Sequence, residues 1–151
     1  MSNSKKLLIA LAVILAVGAT PLLAQLEGPW AGNGEGSCKT PTGITIYPWQ
    51  EWDGFVENGA FDGSWWDGDN GGNFHGDIIS ISTPVPPAEP HDVAYCEGTW
   101  TWVNDEGEEI SMGQFWMNFD LLYGTCEGEW WPCNRPEPWG PGIMWGWRIG
   151  D

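Results

Sequence analysis

Gln114-Phe115-Trp116-Met117-Asn118-Phe119-Asp120-Leu121-Leu122-Tyr123 is the longest run without Gly or Pro beyond the N-terminal leader, and its reading decides the fold. Its apolar residues fall at Phe115, Met117, Phe119 and Leu121, alternating with Gln114, Trp116, Asn118 and Asp120. A period of two is the mark of a strand with one dry face. Elsewhere in that part of the chain Gly or Pro recurs within eight residues or fewer, which leaves no room for a helix of ordinary length. The same alternation recurs in Cys96-Gly98-Trp100-Trp102 against Glu97-Thr99-Thr101-Val103, and in Ile143-Trp145-Trp147-Ile149 against Met144-Gly146-Arg148. Phe61-Gly63-Trp65 against Asp62-Ser64-Trp66 is a shorter case, and Gly43–Tyr47 and Asn73–Ser82 complete the set.

Turn chemistry agrees. Asp67-Gly68-Asp69-Asn70-Gly71-Gly72 and Asn104-Asp105-Glu106-Gly107-Glu108 read as hairpin tips between strands. The Pro-rich segment 83–90 cannot pair in a sheet and reads as an extended crossover. The expected fold is all-β: an antiparallel β-sandwich or curled meander of about eight short strands, one domain over residues 25–151.

Residues 1–24 read as a signal peptide. Lys5 and Lys6 precede the apolar run Leu7–Val17, which is too short to span a bilayer, and small residues allow cleavage after Ala19 or Ala24. An extracellular or periplasmic, bacterial-type secreted protein is expected. Beyond the leader, Lys39, Arg135 and Arg148 stand against all 21 acids, a net charge of −18. That balance excludes partners read through phosphate, both nucleic acid and anionic membrane surfaces. Cys38, Cys96, Cys126 and Cys133 form an even set in an exported chain, so two disulfides stapling the fold are expected, with three pairings open. Leu, Ile, Val and Phe are scarce, and the 13 Trp must supply the missing apolar bulk.

A pattern of acid-Gly-x-Trp recurs three times: Asp62-Gly63-Ser64-Trp65, Glu97-Gly98-Thr99-Trp100 and Glu127-Gly128-Glu129-Trp130. Each follows an apolar residue or Cys, and Gly72-Asn73-Phe74 and Gly113-Gln114-Phe115 come across the turn from the first two. The pattern implies hairpin units in which Trp packs over the bare backbone of a facing Gly. It is similar to the opening of MORN hairpins, without their tight tandem spacing, and avidin-like and lipocalin barrels also carry Gly-x-Trp on a strand. No functional residue is carried over from either, and the repeat reads as architecture.

Several Trp fall outside these dry faces. Trp66 and Trp116 lie on the polar side of their strands, Trp49 and Trp52 flank Gln50-Glu51, and Trp131 and Trp139 lie in a Pro-rich stretch. Trp beside acids and amides suits stacking on sugar rings, with carboxylates accepting hydroxyl protons. The competing reading is that these Trp fill a core short of Leu and Ile. Asp67, Asp69 and Asn70 offer hard oxygens for calcium, although Ile78 stands where an EF-hand needs Glu. Glu106, Glu108 and Glu109 form a weaker acidic cluster, and His75 and His91 have no partners at zinc spacing. Among the acids, Glu51, Glu57 and Glu97 lie amid aromatics and are the candidates for a glycosidase pair. The expectation is a non-catalytic binding module for polysaccharide or cell-surface glycan. A self-associating filament or coat subunit stands second and a carboxylate-pair hydrolase third.

Overall fold

In the computed structural model residues 25–82, 92–132 and 142–150 are described. The leader expected at 1–24 and the crossover expected at 83–90, with His91, Cys133 and Trp139, lie outside them. Ten strands run in chain order: β1 (Gly28–Glu35), β2 (Cys38–Lys39), β3 (Thr45–Ile46), β4 (Glu51–Glu57), β5 (Ala60–Trp66), β6 (Gly71–Ser82), β7 (Val93–Val103), β8 (Glu109–Asp120), β9 (Thr125–Pro132) and β10 (Gly142–Arg148). Eight of them close an antiparallel barrel in the order β1-β10-β9-β8-β7-β6-β5-β4, and β2-β3 form a separate two-stranded sheet. The meander is curled until it closes, so no barrel strand keeps a free edge.

Four hairpins build the barrel, and one steric rule repeats in each. On the first strand an inward Gly is followed two residues on by an inward Trp; on the second an inward Gly is followed by Val, Phe or Met. The two strands pair so that each bulky residue faces a glycine. Trp30, Trp65, Trp100 and Trp130 oppose Gly54, Gly72, Gly113 and Gly142, while Gly28, Gly63, Gly98 and Gly128 oppose Val56, Phe74, Phe115 and Met144. A Cβ on Gly72 would lie 2.6 Å from Trp65 Nε1, one on Gly113 2.7 Å from Trp100 Nε1, and one on Gly142 1.9 Å from Trp130 Cε2. The second and third of the four indoles reach further. Trp65 Nε1 crosses β6 to donate to the Thr101 carbonyl at 2.8 Å, and Trp100 Nε1 crosses β8 to the Trp131 carbonyl at 3.2 Å. The fourth copy of the motif, Leu26-Glu27-Gly28-Pro29-Trp30 on β1, is the one that the three-copy reading of the sequence passes over.

Seven of the 12 described Trp are core: Trp30, Trp49, Trp52, Trp65, Trp100, Trp102 and Trp130 are at most 3% exposed. Trp49 belongs to the loop before β4 and enters the barrel from its end, stacking on Phe74 with ring centroids 4.4 Å apart and leaning on Phe115 at 4.9 Å. Its φ of 64° is a left-handed conformation that a bulky residue adopts only when tertiary packing holds it there. The other end is closed by buried Leu26, whose carbonyl accepts from Trp30 Nε1, and by Arg148, which donates to the carbonyls of Gln25 and Glu27.

Two expectations are corrected. No disulfide joins two of the described cysteines, Cys38, Cys96 and Cys126. Cys96 on β7 and Cys126 on β9 are separated by β8, about 9 Å across two strand spacings, whereas a bridge needs Cα atoms within about 7 Å. Both occupy the slot before acid-Gly-x-Trp that Leu26 and Phe61 fill in the other hairpins, so they serve as small core hydrophobes. Burial pushes the Cys96 thiol up to about 12 and raises that of Cys126 too. The second correction is the face of β10: Met144 and Gly146 point inward, and Ile143, Trp145, Trp147 and Ile149 point to solvent.

Removing the indole should relieve the Gly142 constraint. Gly142→Ala alone should cost about 1–3 kcal/mol of overpacking, and Trp130→Leu should also destabilise. Because the three closest atoms to that Cβ all belong to the Trp130 ring, the double variant should lose less than the sum in urea unfolding. Additive losses would place the clash elsewhere. For the cysteines, native protein at pH 8 should leave Cys96 and Cys126 unlabelled by a thiol reagent and label both once denaturant is added. Peptide mapping should find no Cys96–Cys126 bridge.

Candidate functional site on the outer wall

With the interior filled, chemistry is left to the outside. The strand middles there carry Asp53, Asp62, Asp77, Glu97, Glu127 and Glu129, so this wall faces water and lacks the apolar band of a lipid-facing barrel. Among the described residues five Trp are also outside the core: Trp66, Trp116, Trp131, Trp145 and Trp147. Four of them lie together on β8, β9 and β10.

The register fixes the pattern on that face. One row across the wall runs Tyr95 (β7), Asn118 (β8), Glu127 (β9), Trp145 (β10), and the next runs Glu97, Trp116, Glu129, Ile143. Thr99, Gln114 and Trp131 form a third row, and Thr125 and Trp147 a fourth. Directly opposed side chains have Cβ atoms about 4.5–5.5 Å apart, so aromatic, carboxylate and amide groups interleave. The Tyr95 ring lies 6.4 Å from Trp116, and its hydroxyl donates to Glu97 at 2.9 Å. Three shallow clefts mark the face. One of about 560 Å³ runs by Asn118, Thr125, Glu127, Trp145 and Trp147; one of about 450 Å³ lies among Trp116, Glu127, Glu129, Ile143 and Trp145; and one of about 320 Å³ lies among Asp77, Tyr95, Glu97, Gln114, Trp116 and Trp131.

The residues expected from the sequence are thus partly gathered and partly dispersed. Trp116 and Trp131 join this face. Trp49 and Trp52 are buried in the core and present nothing to a ligand. Trp66 is exposed on β5, away from the others, and donates its Nε1 to Glu51. Trp145 and Trp147, which the alternation assigned to the dry side, belong here. The inward glycines Gly142 and Gly146 were the signal that could have turned β10 over.

The loop Asp67–Asn70 spends its oxygens on its own chain. Asp67 Oδ1 accepts the N–H of Asp69 and Asn70, Asp67 Oδ2 accepts that of Tyr47, and Asn70 Oδ1 accepts from Trp102 Nε1. Glu109 of the second acidic cluster accepts from Thr101 and Asn73. Among the described residues no three or more His, Cys, Asp or Glu side chains converge to hold a metal ion.

Glu51, Glu57 and Glu97 do not pair. Glu51 and Glu57 are six residues apart on one strand, roughly 20 Å, and Glu97 is three strands from either, roughly 14 Å. A glycosidase needs its carboxyls within about 5–10 Å. The acid opposite Glu97 is Asp77, which no motif announced.

No family model, curated protein or solved structure matches this chain.

His75 on β6 borders the same wall. Its Nδ1 is 2.5 Å from Asp62 on β5, its Nε2 is 3.4 Å from Asp77, and Thr99 on β7 stands opposite. The hydrogen bond to Asp62 raises its pKa above the ordinary 6.5, against a smaller opposing effect of burial, with the charges of Asp62 and Asp77 adding to the rise. The raised value means that this ion pair stabilises the fold fully below pH 6.5 and ceases to as pH climbs through the folded-state pKa. By NMR the His75 midpoint should therefore lie above 6.5, and Asp62→Asn should bring it down; an unmoved midpoint would leave Asp62 without that role.

Proposed function

We propose that the protein is a secreted, non-catalytic binding module that takes carbohydrate on the outer wall of β7–β10. The observation that carries this reading is the array itself: Trp116, Trp145 and Trp147 point away from a filled core, each beside carboxylate, amide or hydroxyl side chains. An indole face offers a sugar ring a large apolar surface at little entropic cost. Glu97, Glu127, Glu129, Asn118 and Gln114 offer acceptors and donors to its hydroxyls. The clefts are shallow and open, which suits the side of a polymer more than an enclosed small molecule. The leader and the acidic charge support export.

A second reading, self-association, is supported by the apolar stripe along β10 and the residue just past it, where Ile143, Trp147 and Ile149 are each more than 40% exposed. Because the barrel has no free edge, such assembly would proceed by face-to-face packing rather than by strand addition.

Titrating soluble polysaccharides while following Trp emission should give a saturable shift with one glycan class. Trp145→Ala and Trp116→Ala should each weaken it at least tenfold, about 1.4 kcal/mol, with the melting temperature unchanged. A flat response to every glycan, with sedimentation showing concentration-dependent oligomers that Trp147→Ala dissolves, would replace this reading with the second.

A further inference from the structure

Resting on the carbohydrate reading, we infer that the glycan bound by the β7–β10 wall bears protonated amines rather than being neutral or acidic. The stacking surface and the negative charge on it cannot be separated. Glu127 lies directly between Trp145 and Asn118, and Glu129 between Trp116 and Ile143. Glu127 and Glu129 are two residues apart on the same face of β9, about 7 Å, and among the described residues neither carboxylate has a hydrogen-bond or ion-pair partner.

Nor, among the described residues, does any fixed cation balance them. Of the described cations, Lys39 belongs to the β2–β3 sheet, and Arg148 is committed to the Gln25 and Glu27 carbonyls at the end of the barrel. His75 is held between Asp62 and Asp77. A sugar ring stacked on Trp116 or Trp145 sets its substituents over these carboxylates. An ammonium there gains Coulomb attraction and the face of an indole together, whereas a carboxylate or sulfate on the sugar is repelled. A basic peptide would meet the same charge. Yet the closed barrel offers no edge for the main-chain hydrogen bonds by which extended peptides add to sheets, so the wall recognises flat faces rather than backbone.

The experiment compares four probes of matched length by calorimetry, at a pH where free amines are protonated: a glucosamine oligomer, its N-acetylated counterpart, a neutral glucose oligomer and oligolysine. The glucosamine oligomer should bind at least tenfold tighter than the other two glycans. The advantage should shrink as salt is raised and vanish in Glu127→Gln/Glu129→Gln, whose melting temperature shows that it remains folded. Equal binding of the N-acetylated or neutral oligomer would overturn the amine inference and leave the carbohydrate reading standing. Binding of oligolysine with no glycan bound would overturn both and hand the wall to a basic peptide. Binding of no probe would also overturn both.

Discussion

Everything in this barrel depends on the contact of an indole with a glycine. An eight-stranded barrel has an interior just wide enough for side chains, and Trp is the largest of them. Setting one on every second strand closes the barrel only if the strand it faces has no side chain at that level. The four hairpins meet this by complementary volumes: Trp against Gly at one level, Gly against Val, Phe or Met at the next. The arrangement explains why a chain so poor in Leu, Ile and Val still has a core, and why its many glycines sit in strands, where they ordinarily weaken a sheet.

The same contact decides where recognition can happen. Barrels of this size can keep a lumen for one small ligand, but here Trp49 folds in from a loop and stacks on Phe74 and Phe115. What remains is the outer wall, where the chain places its acids. Glu97 directly faces Asp77 across β6 and β7, an opposition of like charges that disfavours the folded state. A wall so rich in carboxylates is costly for a small barrel to keep, which is what gives their pattern among the aromatics its meaning.

The sequence shows strand class, turns and the hairpin unit clearly, because Gly, Pro and period-two alternation act locally. It hides what depends on closure. The motif on β1 contains Pro29 and is separated from its partner strand β4 by β2 and β3, so no short turn marks it as a hairpin, although its Trp30 packs like the other three. Trp145 and Trp147 look like a dry face because alternation reports apolarity and not volume; inside the barrel the levels opposite β10 are already filled by Trp130 and Trp52, and only Gly142 and Gly146 fit beneath them. The even cysteine count misleads for a related reason. Cys96 and Cys126 hold equivalent places in two repeats, and equivalent places on alternate strands are always one strand too far apart to bridge.

Cross-strand neighbours, more than the strand's own alternation, therefore separate the hairpin Trp from those of the β8–β10 face, whereas Trp66 is exposed although it faces Gly71. Trp30, Trp65, Trp100 and Trp130 each face a glycine within their hairpin, and all four are buried. Trp116 faces Glu97 and Glu129, Trp145 faces Glu127 and Asn33, and Trp131 faces Gln114. A glycine opposite Trp supplies the space that burial requires; a carboxylate or amide opposite it supplies a polar group that burial would leave unsatisfied. One residue type thus builds the core on one side of the sheet and a stacking surface on the other, and the register assigns each copy to its side.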